Sequence, residues 1–181
     1  MKNFIIALCL IGFLSACNKK SAVSKSVETQ KHSIPVQVGE PSPGFAFENV
    51  NGETTELKDF LGKYVLIKVW ASWCAPCKAQ IPFQREIEAA YEGKDIAFVN
   101  VAVDKQENIA DWRDYVTENK LSGVHVISDK SFDSDFVKAY GIKGIPRFIL
   151  VDPEGKVVST KTPFPAEKEK LIAFLDDLEI K

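Results

Sequence analysis

Tyr64-Val65-Leu66-Ile67-Lys68-Val69-Trp70-Ala71-Ser72-Trp73-Cys74-Ala75-Pro76-Cys77-Lys78 decides the reading of this chain. Tyr64 to Val69 is apolar and rich in β-branched residues, which predicts a buried strand. After the cysteines, Ile81, Phe83, Ile87, Ala90 and Tyr91 recur at helical spacing. Strand, sharp turn and helix therefore follow one another, with Cys74 at the helix start. The unpaired N–H groups of a first helical turn and the helix dipole favour negative charge there. Such a dipole stabilises an anion by ~0.3–2 kcal/mol, so a thiol at that place ionises more readily. Pro76 suits the first turn, where its missing N–H costs nothing.

A Cys-x-x-Cys pair admits three readings: a redox-active dithiol, part of a metal site, or a structural disulfide. Structural zinc takes four ligands, usually two such pairs or added histidines. The sequence has no second pair, and its two histidines are His32 and His125, so no metal is assigned. As a staple the pair is poor. A four-residue loop contributes roughly 2 kcal/mol, against about 5 kcal/mol for a loop of ~100 residues. The redox dithiol is the preferred reading, with Cys74 and Cys77 as catalytic residues and no cofactor. Trp73, Ala75 and Pro76 form the immediate surround, and the flat Trp73 side chain is suited to screening the sulfurs and shaping a docking surface.

The 181 residues are 45% hydrophobic, enough for one domain with a full core. A formal charge of −2 carries no nucleic-acid signature, and no nucleic-acid partner is expected. Phe4 to Leu14 is apolar but shorter than the ~20 residues that cross a bilayer. With Lys2 before it and small residues after it, residues 1–16 read as a secretory signal peptide. Leu14-Ser15-Ala16-Cys17 resembles a bacterial lipobox, which makes Cys17 the lipidated first residue of the mature chain. The competing reading is an ordinary signal with a chance cysteine. Residues 17–37 are polar and read as a tether. Residues 38–181 read as the domain. The expected location is the extracytoplasmic (periplasmic) side of a bacterial cell envelope, lipid-anchored to the membrane, where disulfides persist.

Within the domain, Asn51-Gly52 between Phe45–Glu48 and Thr54–Leu57 signals a β-hairpin. Asp59 to Lys63 reads as a turn. Asp95 to Val103 reads as a strand, with Asp104 as a helix cap after it. Ile109, Trp112 and Val116 share a helix face. Val124 to Ile127 is a short strand, with His125 inside it. Phe132, Phe136 and Tyr140 imply a helix. Arg147 to Val151 and Lys156 to Ser159 pair around the turn at Asp152-Pro153-Glu154-Gly155. Leu171, Phe174, Leu175 and Leu178 give a last helix. The alternation predicts an α/β fold: a central mixed β-sheet flanked by helices.

Two motifs together point to a family. Trp70-Ala71-Ser72-Trp73-Cys74-Ala75-Pro76-Cys77 resembles the active site of the thioredoxin superfamily. Pro82 matches the proline that kinks its first long helix, and Tyr140-Gly141-Ile142-Lys143-Gly144-Ile145-Pro146 resembles its cis-proline loop. The lead-in from Gly39 to Lys63 and the inserted strand–helix segment from Asn100 to Ile127 resemble the TlpA-like branch, whose members are membrane-tethered extracytoplasmic thiol-disulfide oxidoreductases. The resemblance implies a thioredoxin-like fold with an N-terminal β-hairpin and a central strand–helix insertion. It implies a cis Ile145–Pro146 bond facing the dithiol, with the Ile145 backbone pairing with substrate as an added strand. It also implies reduction of disulfide-containing client proteins and re-reduction by a membrane electron donor, with the lipid bilayer contacted through Cys17.

Two residues depart from the family pattern. Thioredoxins carry a buried Asp six residues before the first cysteine, where this chain has Lys68. Many relatives have Glu three residues after the second, where this chain has Gln80. Alternation sets Leu66, Lys68 and Trp70 on one face of the strand. An interior lysine is costly unless neutral or paired. Three fates are open to it: reaching outward to water, pairing with an acid, or lying near Cys77. A second function class uses the same cysteines: an extracytoplasmic metallochaperone holding Cu(I) between soft thiolates.

Overall fold

The computed structural model describes residues 34–181. The signal-peptide and lipidation readings, Cys17 included, fall on residues outside that range. Seven strands form one sheet: β1 (Ala46–Asn49), β2 (Thr54–Glu56), β3 (Tyr64–Trp70), β4 (Ile96–Ala102), β5 (Val124–Ile127), β6 (Arg147–Val151) and β7 (Val157–Ser159). Their spatial order is β2-β1-β5-β4-β3-β6-β7. β3 pairs in parallel with β4 and β4 with β5; every other pairing is antiparallel. β3 is buried from Val65 to Trp70, as its continuous apolar run requires of a strand covered on both faces.

Among the described residues the helices are α1 (Ala75–Lys78), α2 (Ile81–Ala90), α3 (Ile109–Glu118), α4 (Asp135–Ala139) and α5 (Lys168–Asp176). The steps β3 to β4 and β4 to β5 run in one direction, so right-handed crossovers put α2 and α3 on the same face. The Arg85 guanidinium on α2 accordingly donates to the carbonyl of Asn119 at the end of α3 (2.6 Å). α5 joins that face, where Leu66, Ile87, Tyr91, Leu171 and Leu175 pack together. The larger core gathers Ile67, Val69, Val99 and Val101 with Phe45 just before β1, Phe47 of β1 and Phe136 of α4. Phe136 stands edge-on to both phenylalanines.

Several local expectations shift. The domain starts before residue 38: Val36 is buried, and its N–H donates to the Ala139 carbonyl (2.9 Å). Residues 34–37 therefore belong with the fold rather than with a tether, because a buried valine anchors them. The expected turn at Asp59 begins with a 3-10 turn, Leu57–Phe60, held by Glu56 N–H donating to Asp59 Oδ2 (2.8 Å). The helix after the cysteines is interrupted: α1 ends at Lys78, α2 starts at Ile81, and Pro82 stands in its first turn. Asp104 does not cap α3. Asn108 occupies that position, and a 3-10 turn, Gln106–Asn108, intervenes.

Candidate active site

β3 delivers the chain to a turn at Ala71–Cys74, closed by Cys74 N–H donating to Ala71 O (3.1 Å). Cys74 is the N-cap of α1, and its sulfur accepts the Cys77 N–H at 3.2 Å. The same N–H also donates to the Cys74 carbonyl (3.1 Å), so it is shared between the oxygen and the sulfur of the capping residue. Cys74 and Cys77 are joined as a disulfide. Cys74 keeps 4% of its surface and Cys77 none, so an incoming partner reaches the first sulfur and not the second. Ala75 and Pro76 lie exposed beside them, and Trp73 is 60% exposed.

Gly144-Ile145-Pro146 leads into β6, which is hydrogen-bonded to β3, and the Ile145–Pro146 peptide bond is cis. Ile145 packs against the core cluster that contains Cys74 and Cys77. Among the described residues its own N–H and C=O take part in no hydrogen bond. Gln80 sits between α1 and α2, where its side-chain oxygen accepts the Ala166 N–H (3.0 Å) and ties the cysteine helix to the loop before α5.

Lys68 is not at the surface. It is 3% exposed and forms no ion pair among the described residues, so the outward-reaching reading is corrected. The cause is register. Lys68 pairs with Asn100 on β4, Asn100 pairs with His125 on β5, and this row faces α2, whose Gln84 and Glu88 close over it. The Lys68 ammonium lies 5.0 Å from the Trp70 ring centroid, a cation–π contact worth ~0.5–2 kcal/mol. Burial pushes its pKa down to about 8, with the Glu88 charge opposing the shift. Burial likewise drives His125 down to about 4, against the hydrogen bond between its Nε2 and Ser122 O (2.9 Å) and in concert with the Lys68 charge. Gln84 Nε2 donates to Asn100 Oδ1 (3.0 Å) and Glu88 Oε1 (2.8 Å). Among the described residues Gln84 Oε1 and His125 Nδ1 have no hydrogen-bond partner. A cavity of about 10 Å³ lies among these side chains.

The structure thus brings Trp73, Cys74, Ala75, Pro76 and Cys77 together at the end of β3, with the Ile145–Pro146 loop alongside. It sets Lys68 in a separate polar row one strand-turn back. Sequence reading passed over Asn100 and Gln84 as members of that row. The available signal was a polar residue inside each of three consecutive apolar strands. Ser72 was also missed: its N–H and hydroxyl are held by Asp104.

The Redoxin family model matches residues 37–173. The thiol-disulfide oxidoreductase ResA of Bacillus thuringiensis is 31% identical over 123 residues, 68% of either chain. ResA of Bacillus subtilis is 29% identical over 160 residues, covering 87% of this chain and 80% of its own. Among solved structures, the thioredoxin domain of a thiol-disulfide oxidoreductase from Bacteroides vulgatus superposes with a TM-score of 0.69. It is 29% identical and covers 79% of this chain and 98% of its own. The Redoxin match over most of the chain, together with these relatives, means that the chain belongs to the Redoxin family and is a TlpA-like thiol-disulfide oxidoreductase of the thioredoxin superfamily.

Proposed function

We propose that this enzyme reduces disulfides of extracytoplasmic client proteins while anchored to the membrane by lipid on Cys17. The reaction is dithiol exchange. The Cys74 thiolate attacks one sulfur of a client disulfide, and the other client sulfur leaves as a thiolate. The Cys77 thiolate then attacks the Cys74 sulfur, releasing the second client sulfur and leaving Cys74–Cys77 oxidised. Two electrons reach the client, and a membrane electron donor restores the dithiol. The observation that carries the assignment of roles is the Cys77 N–H donating to the Cys74 sulfur, with Cys74 the reachable member of the pair.

The client is read as an extended segment. The N–H and C=O of Ile145, without a partner among the described residues, suit addition of a strand, and the exposed Trp73 offers it an apolar flank. The lipid anchor rests on Leu14-Ser15-Ala16-Cys17, and the tether on the polar residues that follow.

Cys77→Ser is expected to accumulate mixed disulfides with clients through Cys74, whereas Cys74→Ser is not. Equal trapping by the two variants would sink the roles. Mass spectrometry of the native N-terminus is expected to show diacylglycerol on Cys17, and an unmodified terminus would remove the anchor. A reduction potential near those of reducing dithiols, ~−270 mV rather than ~−120 mV, is expected for the proposed direction.

A further inference from the structure

The parallel register that sets Trp70 opposite Ala102 continues past the ends of both strands. Val103 N–H donates to Trp70 O (2.8 Å), and two residues along Ser72 comes opposite Asp104. In a four-residue turn such as Ala71–Cys74, the N–H of the second residue has no partner within the turn. That residue is Ser72. Both oxygens of Asp104 accept its N–H (3.1 and 3.0 Å), and Oδ1 also accepts its hydroxyl (2.5 Å). The carboxylate is 1% exposed and forms no ion pair among the described residues. A buried carboxylate is expensive without hydrogen bonds. Here all the bonds given to it come from the residue two positions before Cys74.

We propose that Asp104 is a positioning residue for thiol exchange. Through Ser72 it fixes the turn that delivers Cys74 to the start of α1, so that the sulfur meets an incoming disulfide with the Cys77 N–H already behind it. Exchange needs three sulfurs in line, and loosening the turn spreads the Cys74 sulfur over positions that do not react. The inference rests on Cys74 being the attacking thiol.

The test uses the full reduced chain, with oxidised glutathione as the disulfide probe, at a temperature well below the lowest melting midpoint of the set. Asp104→Ala is expected to lower the second-order rate constant of Cys74 about tenfold, the equivalent of one hydrogen bond to a charged group. Asp104→Asn keeps the shape and an acceptor for the Ser72 N–H, and is expected to recover to within about threefold of the parent, since neutral acceptors retain part of such a bond. Ser72→Ala removes only the hydroxyl bond and is expected to fall between them. A residue with a purely structural role would lower the melting midpoint and leave the rate constants of the folded proteins equal. Equal rate constants across the series therefore overturn the inference. If Asp104→Ala does not fold, Asp104→Asn and Ser72→Ala decide: a loss in both supports it, and parent-like rates in both overturn it. A parent protein that fails to react with the probe would remove the exchange reading itself, an outcome distinct from parent and variants reacting alike.

Discussion

Lys68 stands within the parallel pair β3–β4 and Asp104 just beyond its end, four register positions along, and both are sealed from water. Asp104 receives three hydrogen bonds from Ser72. Among the described residues Lys68 receives only the face of Trp70 and the more distant charge of Glu88. The difference comes from where each stands on the strand. Inside a sheet the backbone N–H and C=O groups are consumed by the ladder, so a buried charge there depends on other side chains. Past the strand end the chain turns, and backbone donors come free. The acid at the end of β4 uses them to order the dithiol turn, whereas the base in the middle of β3 has no such supply.

The contrast breaks most visibly at Lys68. Below pH 8 both the folded and the unfolded chain hold its proton, and the folded state bears the whole cost of the buried ammonium. Between about 8 and 10.5 only the unfolded chain keeps the proton, so native stability climbs with pH and the cost vanishes above that range. Lys68→Met is expected to stabilise the protein at pH 7 by up to roughly 3 kcal/mol in urea unfolding, with the gain shrinking from pH 8 to 10.5. A gain independent of pH would show that the ammonium is not its source. The same variant tests whether the charge reaches Cys77. If it does, loss of the cation destabilises the reduced form, and the potential becomes more negative by about 30 mV for each 1.4 kcal/mol. An unchanged potential assigns Lys68 to stability alone.

His125 sharpens the comparison from the acid side. As pH falls from 6.5 towards 4, the unfolded chain takes up a proton that the folded chain refuses, and stability drops. The loss is expected to be about 2 kcal/mol at pH 5, and His125→Gln should flatten it. An acid limb that survives the substitution would move the cause elsewhere in the row.

Asn100 is a smaller lever. Asn100→Ala removes the acceptor for Gln84 Nε2 and is expected to cost about 1–2 kcal/mol, as a lost partner of a buried donor does. Gln80→Ala should cost least, ~1 kcal/mol or below, read as a thermal shift of a few degrees. It breaks the single bond to Ala166 N–H at a half-exposed place. If Gln80→Ala proves costlier than Asn100→Ala, the ranking of interior over rim is wrong.

Much of this was legible in residue order. The apolar β-branched run gave β3, the helical spacing after it gave α2, and Asn51-Gly52 gave the β1–β2 hairpin, because each depends on neighbours a few positions away. The cysteine pair and its place at a helix start were legible for the same reason. Alternation also set Lys68 on the face of Leu66 and Trp70, though not whether that face reaches water.

What only tertiary structure decided is how strands distant in sequence align. Asp104 reads locally as a helix cap, and becomes the holder of Ser72 only once β3 and β4 pair in one register. Lys68, Asn100 and His125 are scattered over three strands and meet as a buried row only when those strands lie side by side under α2. Val36 looks like part of a polar leader until Ala139 accepts its N–H. Sequence fixes periodicity, which is local. Register and covering helices are set by the packing of the whole core, and they determine whether a charge is bathed, paired or stranded.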